Sequence, residues 1–485
     1  VPSTTPLGER MLRRKPVSAL VAEGGVTTGG SLRRSIGLWQ LTSIGIGATV
    51  GTGIFFVLGS AVPEAGPAVV LSFVIAAVTA GLTALCYAEL ASAIPVSGSS
   101  YSYAYATLGE AAAFGVGACL LLEYGVSASA ITVTWGQYLN EFLHDVLGVT
   151  LPDAVAQPPG HGGYVNLPAV VLVALCCVLL VRGARESARV NAAMVAVKLA
   201  ILVLFVCIGL TGFHSGNLSD FAPLGIGGIG AAASSIFFSF IGLDAVSTAG
   251  EEVKDPRRTM PLAILISLGV VTLLYVGVAL TAVAAQPWQR FEGQEAGLAQ
   301  ILRDVTGSTW PSTMFALGAI VSIFSITLVV LYGQTRILYS MGRDGMLPAR
   351  FARVSPRTGT PVWNTVVVGA GVALLGAFVP LDVLADLTSM GTLVAFAVVS
   401  VGVMVLRRTA PDLDRGFKVP GYPVVPLLSV AFCAYLIYGL HGLTFTLFGV
   451  WLAGAALLYF GYGIRHSRLA RRGAAPAAPA PAPRR

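Results

Sequence analysis

A chain of 485 residues that is 55% hydrophobic and only 11% charged, with a mean hydropathy of +0.79, is too apolar for a water-soluble fold and reads as a polytopic membrane protein. Its net charge of +7 is spread over many short loops instead of one basic patch, which excludes a nucleic-acid footprint. All six cysteines fall in apolar segments, where small packing residues are expected in place of disulfides.

The tail at 1–35 is polar and arginine-bearing, and no signal peptide is read in it, although the true start residue stays open. A hydrocarbon core of ~30 Å takes about 20 apolar residues per helix. Segments of that kind run at 36–60, 67–94, 112–140, 167–182, 190–212, 229–250, 262–285, 309–338, 363–379, 387–406, 424–444 and 447–464, which predicts twelve transmembrane spans. None alternates with the period of a barrel strand, so the expected fold class is all-α. With both termini cytoplasmic, all of the 30 basic residues but Lys198, Arg290 and Arg303 lie on the cytoplasmic side. Residues 465–485 form an Ala/Pro-rich tail of low complexity, also cytoplasmic.

Span 1 contains GIGATVGTGIF, with Gly45, Gly47, Gly51 and Gly53 inside an apolar run. Each glycine costs a helix roughly 1 kcal/mol relative to alanine. One small-xxx-small pair would serve helix packing. The other reading is a helix interrupted at mid-membrane, freeing backbone groups to hold a ligand in a polar cavity. Five spans later SSIFFSFIGLDAVSTAGEEV carries Gly242 and Asp244 at corresponding depth. An offset of five spans inverts the second unit, which predicts repeats at 36–212 and 229–406 followed by two additional helices at 424–464. Amides at the start of a half-helix suit a carboxylate, and unwound carbonyls at Phe238, Ser239 and Ile241 suit an ammonium. A ligand with both groups on one carbon is an α-amino acid.

Four runs, GIGATVGTGIF, YAELASAIPVSGSSYSYAY from Tyr87, FSFIGLDAVSTAGEEVKDP from Phe238 and YGQTRILYSMGRDGMLP from Tyr332, together resemble the amino acid–polyamine–organocation (APC) superfamily, nearest its cationic amino acid transporter branch. The likeness covers about residues 32 to 465. It implies the leucine-transporter 5+5 inverted repeat and amino-acid transport by alternating access. It also implies that Thr49, Gly51, Thr52 and Gly53 receive the substrate carboxylate and that Phe238, Ser239 and Ile241 receive its amino group, with the Phe238 ring as a lid. Phe237 and Phe240 read as packing residues.

Lys198 is the lone basic residue within a span. It lies six residues into its apolar run, ~9 Å along a helix, within reach of the interface by snorkelling. Pointed into the bundle instead, it is a candidate proton carrier. The resemblance implies that it stands in for a sodium ion against carbonyls near the span-1 break and hydroxyls of span 8, Ser322 and Ser325. Glu123 is the deepest acid and too short to snorkel, so an occluded-site or second proton role stands beside a structural hydrogen bond. Glu89 and the cluster Glu251, Glu252, Lys254, Asp255, Arg257 and Arg258 lie at span ends, where solvated topology markers are usual. The alternative is an inner gate in which Glu89 or Glu252 pairs with Arg336 or Arg343.

No His or Cys spacing suggests a metal site, and no dinucleotide or Walker motif suggests a cofactor or an ATP-driven pump. The expected function is a secondary amino-acid permease of the plasma membrane, proton-coupled, with the lipid bilayer, an amino acid and protons as its partners. A small accessory membrane subunit is left open. Exchange or uniport of cationic amino acids is the alternative. A channel lacks its ring-forming filter, and an embedded enzyme lacks a titratable pair on one reacting atom.

Overall fold

The structure, a computed structural model, describes residues 7–16, 36–51, 53–94, 96, 99–183, 188–242, 244–249 and 252–468. Thr52, Glu251, most of the N-terminal tail and the Ala/Pro-rich end from 469 lie outside the described residues. The described chain is all-helical, and no strand occurs among these residues. Seven helical segments are long and apolar enough to cross a membrane, and four shorter apolar helices accompany them.

The first expected span is two helices, α1 (Leu38–Thr49) and α2 (Val57–Ala65). After a 3-10 turn, α3 (Val69–Ala93) follows, then α4 (Ser99–Thr107) and α5 (Glu110–Leu147). Next come α6 (Leu167–Val181), α7 (Ala188–Gly209), α8 (Gly225–Ile236) with a 3-10 turn at Phe237–Phe240, and the short α9 (Ala245–Thr248). The rest are α10 (Pro256–Ala285), α11 (Gly297–Thr306), α12 (Thr309–Arg343), α13 (Val362–Phe378), α14 (Leu381–Thr409), α15 (Val424–Tyr438) and α16 (Gly442–Leu458). The boundary expected at residue 60 is five residues short: α2 continues through Pro63 to Ala65. Neither α4 nor α11 was expected as a helix: α4 is short and rich in Ser and Tyr, and α11 is amphipathic, so both fall below any hydropathy threshold.

Helix α5 is the most enclosed of the long segments and α16 the least, which places α5 centrally and α16 at the rim. Helices α12 and α14 pack along α5, while α10 packs along α3 and α1. Two side chains of α10 fasten α1: Ser267 donates to the Thr42 carbonyl at 3.0 Å, and the Tyr275 hydroxyl donates to the Thr49 carbonyl at 3.0 Å. The two interrupted helices are also tied at their ends. The Ile36 amide donates to Glu252 O at 3.0 Å, and the Lys254 amide donates to Ile36 O at 3.1 Å.

Candidate functional site

Both interruptions turn on a glycine that an L side chain would strain. Helix α1 stops at Thr49, Val50 is extended, and Gly51 takes φ +114° before α2 resumes. In the other break Ile241 is extended with ψ 145°, and Gly242 takes φ +100°. Left-handed backbone of this kind is open to glycine at little cost. A Cβ on Gly242 would stand 2.5 Å from Ala48 O, and one on Gly53 would stand 2.3 Å from Ser239 Oγ and 2.8 Å from Ser239 Cα. The two breaks therefore meet backbone to backbone, and the glycines permit that contact.

Of the groups expected to receive a carboxylate, those that remain open are amides. The Gly53 carbonyl accepts the amides of Phe56 (3.0 Å) and Val57 (2.9 Å), which starts α2. The amides of Gly53, Ile54 and Phe55 have no backbone acceptor among the described residues, and the N-terminal end of α2 adds its positive dipole there. The Thr49 hydroxyl donates to Gly45 O at 2.9 Å inside α1. Thr52 lies outside the described residues.

On the opposing break, the Phe238 carbonyl accepts the Ile241 amide at 3.3 Å, so it is not a fully freed group as expected. Ser239 is buried, and its hydroxyl has no hydrogen-bond partner among the described residues. A buried hydroxyl left so is costly unless something else fills its bonding capacity. The Phe238 ring lies edge-to-face with Phe56, centroids 5.3 Å apart, so the two breaks share an aromatic contact beside Gly53. Phe237 packs on Phe396 and Phe240 on Tyr275, the packing roles expected for both.

Lys198, 2% exposed, does not snorkel: its Nζ donates to Gly47 O at 2.9 Å. A Cβ on Gly51 would stand 3.7 Å from the same nitrogen. The lysine thus meets the end of α1 where carbonyls lose their helical partners. Ser322 and Ser325 are both buried on α12, and Ser322 donates to Gly318 O of its own helix at 2.6 Å.

Glu123 is 2% exposed on α5, with the Thr392 hydroxyl of α14 beside it and Asp244 near enough for its charge to be felt. Asp244, 3% exposed, accepts from Ser99 Oγ of α4 at 3.2 Å. In sequence Asp244 reads as a helix breaker, and its burial two residues after Gly242 was not expected.

Among the described residues the structure does not show the pairs of the inner-gate alternative, and Glu89 is not the solvated marker expected. Glu89 is buried, not solvated, and its partners are Arg407 (Nε to Oε1, 2.8 Å), the Val419 amide (2.7 Å) and Arg415 (3.4 Å). Arg336 is exposed and lies over the Tyr332 ring at 4.3 Å, with no acid paired to it among the described residues. Glu252 contributes its backbone to the tie with Ile36. Arg257 pairs with Asp414 at 2.7 Å.

A separate cavity of about 180 Å³ lies at the far end of α5, lined by Glu141, His144, Glu295 and Arg303 among others. Glu141, His144 and Asp145 come together there, one turn apart on the same face of α5. Arg303, on its wall, lies 2.7 Å from Glu141 and 3.0 Å from Asp145. Burial pushes the loop residue Glu295 above the usual carboxylate range, opposed by Gln157.

Known proteins agree with this architecture. An amino acid permease family profile matches residues 36–455. The chain is 43% identical to the branched-chain amino acid permease BcaP of Bacillus subtilis, over 95% of this chain and 99% of that protein. It is 40% identical to a methylthioribose transporter of the same bacterium, with the same coverage. It is 36% identical to the vacuolar cationic amino acid transporter 4 of Arabidopsis thaliana, over 83% of this chain and 68% of that protein. All are named as carriers and none as an enzyme. With helices able to span a membrane, two interrupted helices in contact and a match over most of its length, the chain belongs to the amino acid permease family.

Proposed function

We propose that this permease imports α-amino acids across the plasma membrane by alternating access, coupled to protons through Lys198. The observation that carries the reading is the meeting of the two breaks at Gly53 and Ser239, where amides without a backbone acceptor and a hydroxyl without a partner, both among the described residues, come close together. The amides of Gly53, Ile54 and Phe55 take the substrate carboxylate. Ser239 and the carbonyls near Ile241 take its ammonium, and Phe238 with Phe56 covers it. The proton rides on Lys198, whose ammonium is held by Gly47 O and whose burial opposes its charge. Ser322 and Ser325 stand on the adjoining helix, and Glu123 is a buried acid on α5.

The architecture proposed is twelve spans with both termini cytoplasmic, two inverted five-helix units and two additional helices. Aliphatic neutral amino acids are the first substrates to try, since relatives named as branched-chain permeases come from two bacteria. The inner gate is the Glu89 to Arg407 pair.

The test is radiolabelled leucine uptake into proteoliposomes under an imposed pH gradient. Saturable, gradient-driven accumulation that unlabelled leucine competes away supports the carrier. Accumulation that follows a sodium gradient and ignores pH contradicts proton coupling. Methylthioribose has neither the ammonium nor the carboxylate of this scheme, and its competing away the leucine signal would count against the pairing of groups proposed here.

A further inference from the structure

The cavity at the end of α5 has no part in the transport scheme above. Its volume of about 180 Å³ far exceeds the ~10–15 Å³ that one water needs. Its walls come from α5 (Gln137, Glu141, His144), from α11 (Gln300, Arg303) and from the turn at Glu295. Gln300 ties two of these walls, its Nε2 donating to Glu295 O at 2.7 Å. The His144 side chain is half-exposed, so the rim reaches water.

Arg303 is held along one edge only. Its Nη1 lies 2.7 Å from Glu141, 3.0 Å from Asp145 and 3.3 Å from His144 Nδ1, and Thr313 of α12 donates to the other oxygen of Asp145 at 3.3 Å. No hydrogen-bond acceptor meets Nε or Nη2 among the described residues. Glu295 is likewise half-committed: its Oε1 accepts from Gln157 Nε2, and no donor meets Oε2 among the described residues. Burial raises the Glu295 carboxyl, so a cation entering beside it is favoured. A guanidinium edge and a carboxylate oxygen left open on one cavity complement a molecule that carries a carboxylate and an ammonium. A divalent cation on Glu141, His144 and Asp145 suits the place less, because Arg303 already holds both acids. The cavity also adjoins the first break. Tyr138, on the turn of α5 that carries Gln137 and Glu141, donates to Phe55 O at 2.7 Å, and a Cβ on Gly59 of α2 would stand 3.1 Å from Gln294 O, next to Glu295.

We propose that this cavity is a second amino-acid site, an antechamber in which Arg303 takes the carboxylate of a waiting substrate and Glu295 takes its ammonium. In the twelve-span layout proposed above this face is the outer one, so the antechamber fills from outside and passes its amino acid toward the amides of α2. The inference rests on the transport reading, but binding here and binding at the breaks use different residues and fail separately.

The experiment is equilibrium dialysis of labelled leucine against the purified full chain, with uptake into proteoliposomes measured alongside. The wild type should hold two leucines per chain at saturation. Glu295→Gln removes the open carboxylate, and Arg303→Lys keeps a cation beside Glu141 and Asp145 while removing the open edge of the guanidinium. In each, with folding checked by size-exclusion profile, one leucine should remain and the affinity for the other should fall at least about tenfold. Ser239→Ala should keep the leucine that these two variants lose. Fewer than two leucines per wild-type chain, or two held at unchanged affinity in either folded variant, overturns the inference and leaves transport in place. Absence of saturable leucine uptake would instead sink the transport reading.

Discussion

The Nζ of Lys198 lies 2.9 Å from the carbonyl oxygen of Gly47, where α1 approaches its break. The side chain of α7 thereby ties the end of α1 just before its break. Replacing the lysine by alanine leaves the Gly47 carbonyl without that donor, at a cost of roughly 1–3 kcal/mol. Accumulation of leucine driven by an imposed pH gradient should fall at least about tenfold. Lys198→Arg should lose it as well, because a guanidinium keeps its proton throughout the cycle. Undiminished pH-driven uptake in either variant contradicts the assignment.

The contact between the breaks is equally exposed to test. Gly53→Ala would drive a Cβ to 2.8 Å from Ser239 Cα, and Gly242→Ala would place one 2.5 Å from Ala48 O at φ +100°. Each is expected to cost roughly 1–3 kcal/mol in overpacking or backbone strain. Substrate-induced thermal stabilisation should vanish in both. Gly115→Ala, with open space around its Cβ, should behave as wild type.

Glu89 and Arg407 are expected to be energetically coupled. Glu89 is 1% exposed, so Arg407→Ala leaves a buried carboxylate with only Arg415 at 3.4 Å and the Val419 amide, a loss of at most about 3–5 kcal/mol, the cost when a buried pair is broken outright. Arg336→Ala, remote from any acid among the described residues, should move stability by less than about 0.5 kcal/mol. A double-mutant cycle with Glu89→Gln measures the coupling in unfolding midpoints. Equal effects of the two arginine changes would contradict the reassigned pair.

A pH dependence follows from His441, which lies in the connection between α15 and α16. Its Nδ1 is 2.6 Å from Asp386, whose hydrogen bond and charge raise the imidazole above its ordinary value, against partial burial. A histidine whose folded pKa is raised adds stability that is fully present below its unfolded pKa of ~6.5 and is lost as pH rises through the folded one. Melting temperature should therefore decline from pH 6 toward pH 9, and His441→Ala should flatten that slope. Glu64 and Asp382 are the other acids facing the ring and are left in place in this comparison.

What the residue string disclosed and what it concealed have physical reasons. The breaks were legible because glycines such as Gly51 and Gly242 are expensive in an apolar helix and recur five spans apart. Lys198 was legible because a lone cation in a span has few resting places. Glu89 and Arg407 were not, since 318 residues separate them and each alone resembles a solvated helix-end charge. The hydrogen bond of the Thr49 hydroxyl to Gly45 O was not legible either, although a threonine at a helix end readily donates back to the carbonyl four residues earlier. Asp244 was hidden by its own explanation as a helix breaker.

The central claim is that the two breaks grip the substrate between them. A cryo-EM map of the purified protein with saturating leucine tests it most directly. The account requires the leucine carboxylate to lie within hydrogen-bond distance of the Gly53, Ile54 and Phe55 amides, with its ammonium against Ser239 and the carbonyls near Ile241. Leucine density elsewhere, or α1 and α2 running as one unbroken helix through Gly51, would contradict it.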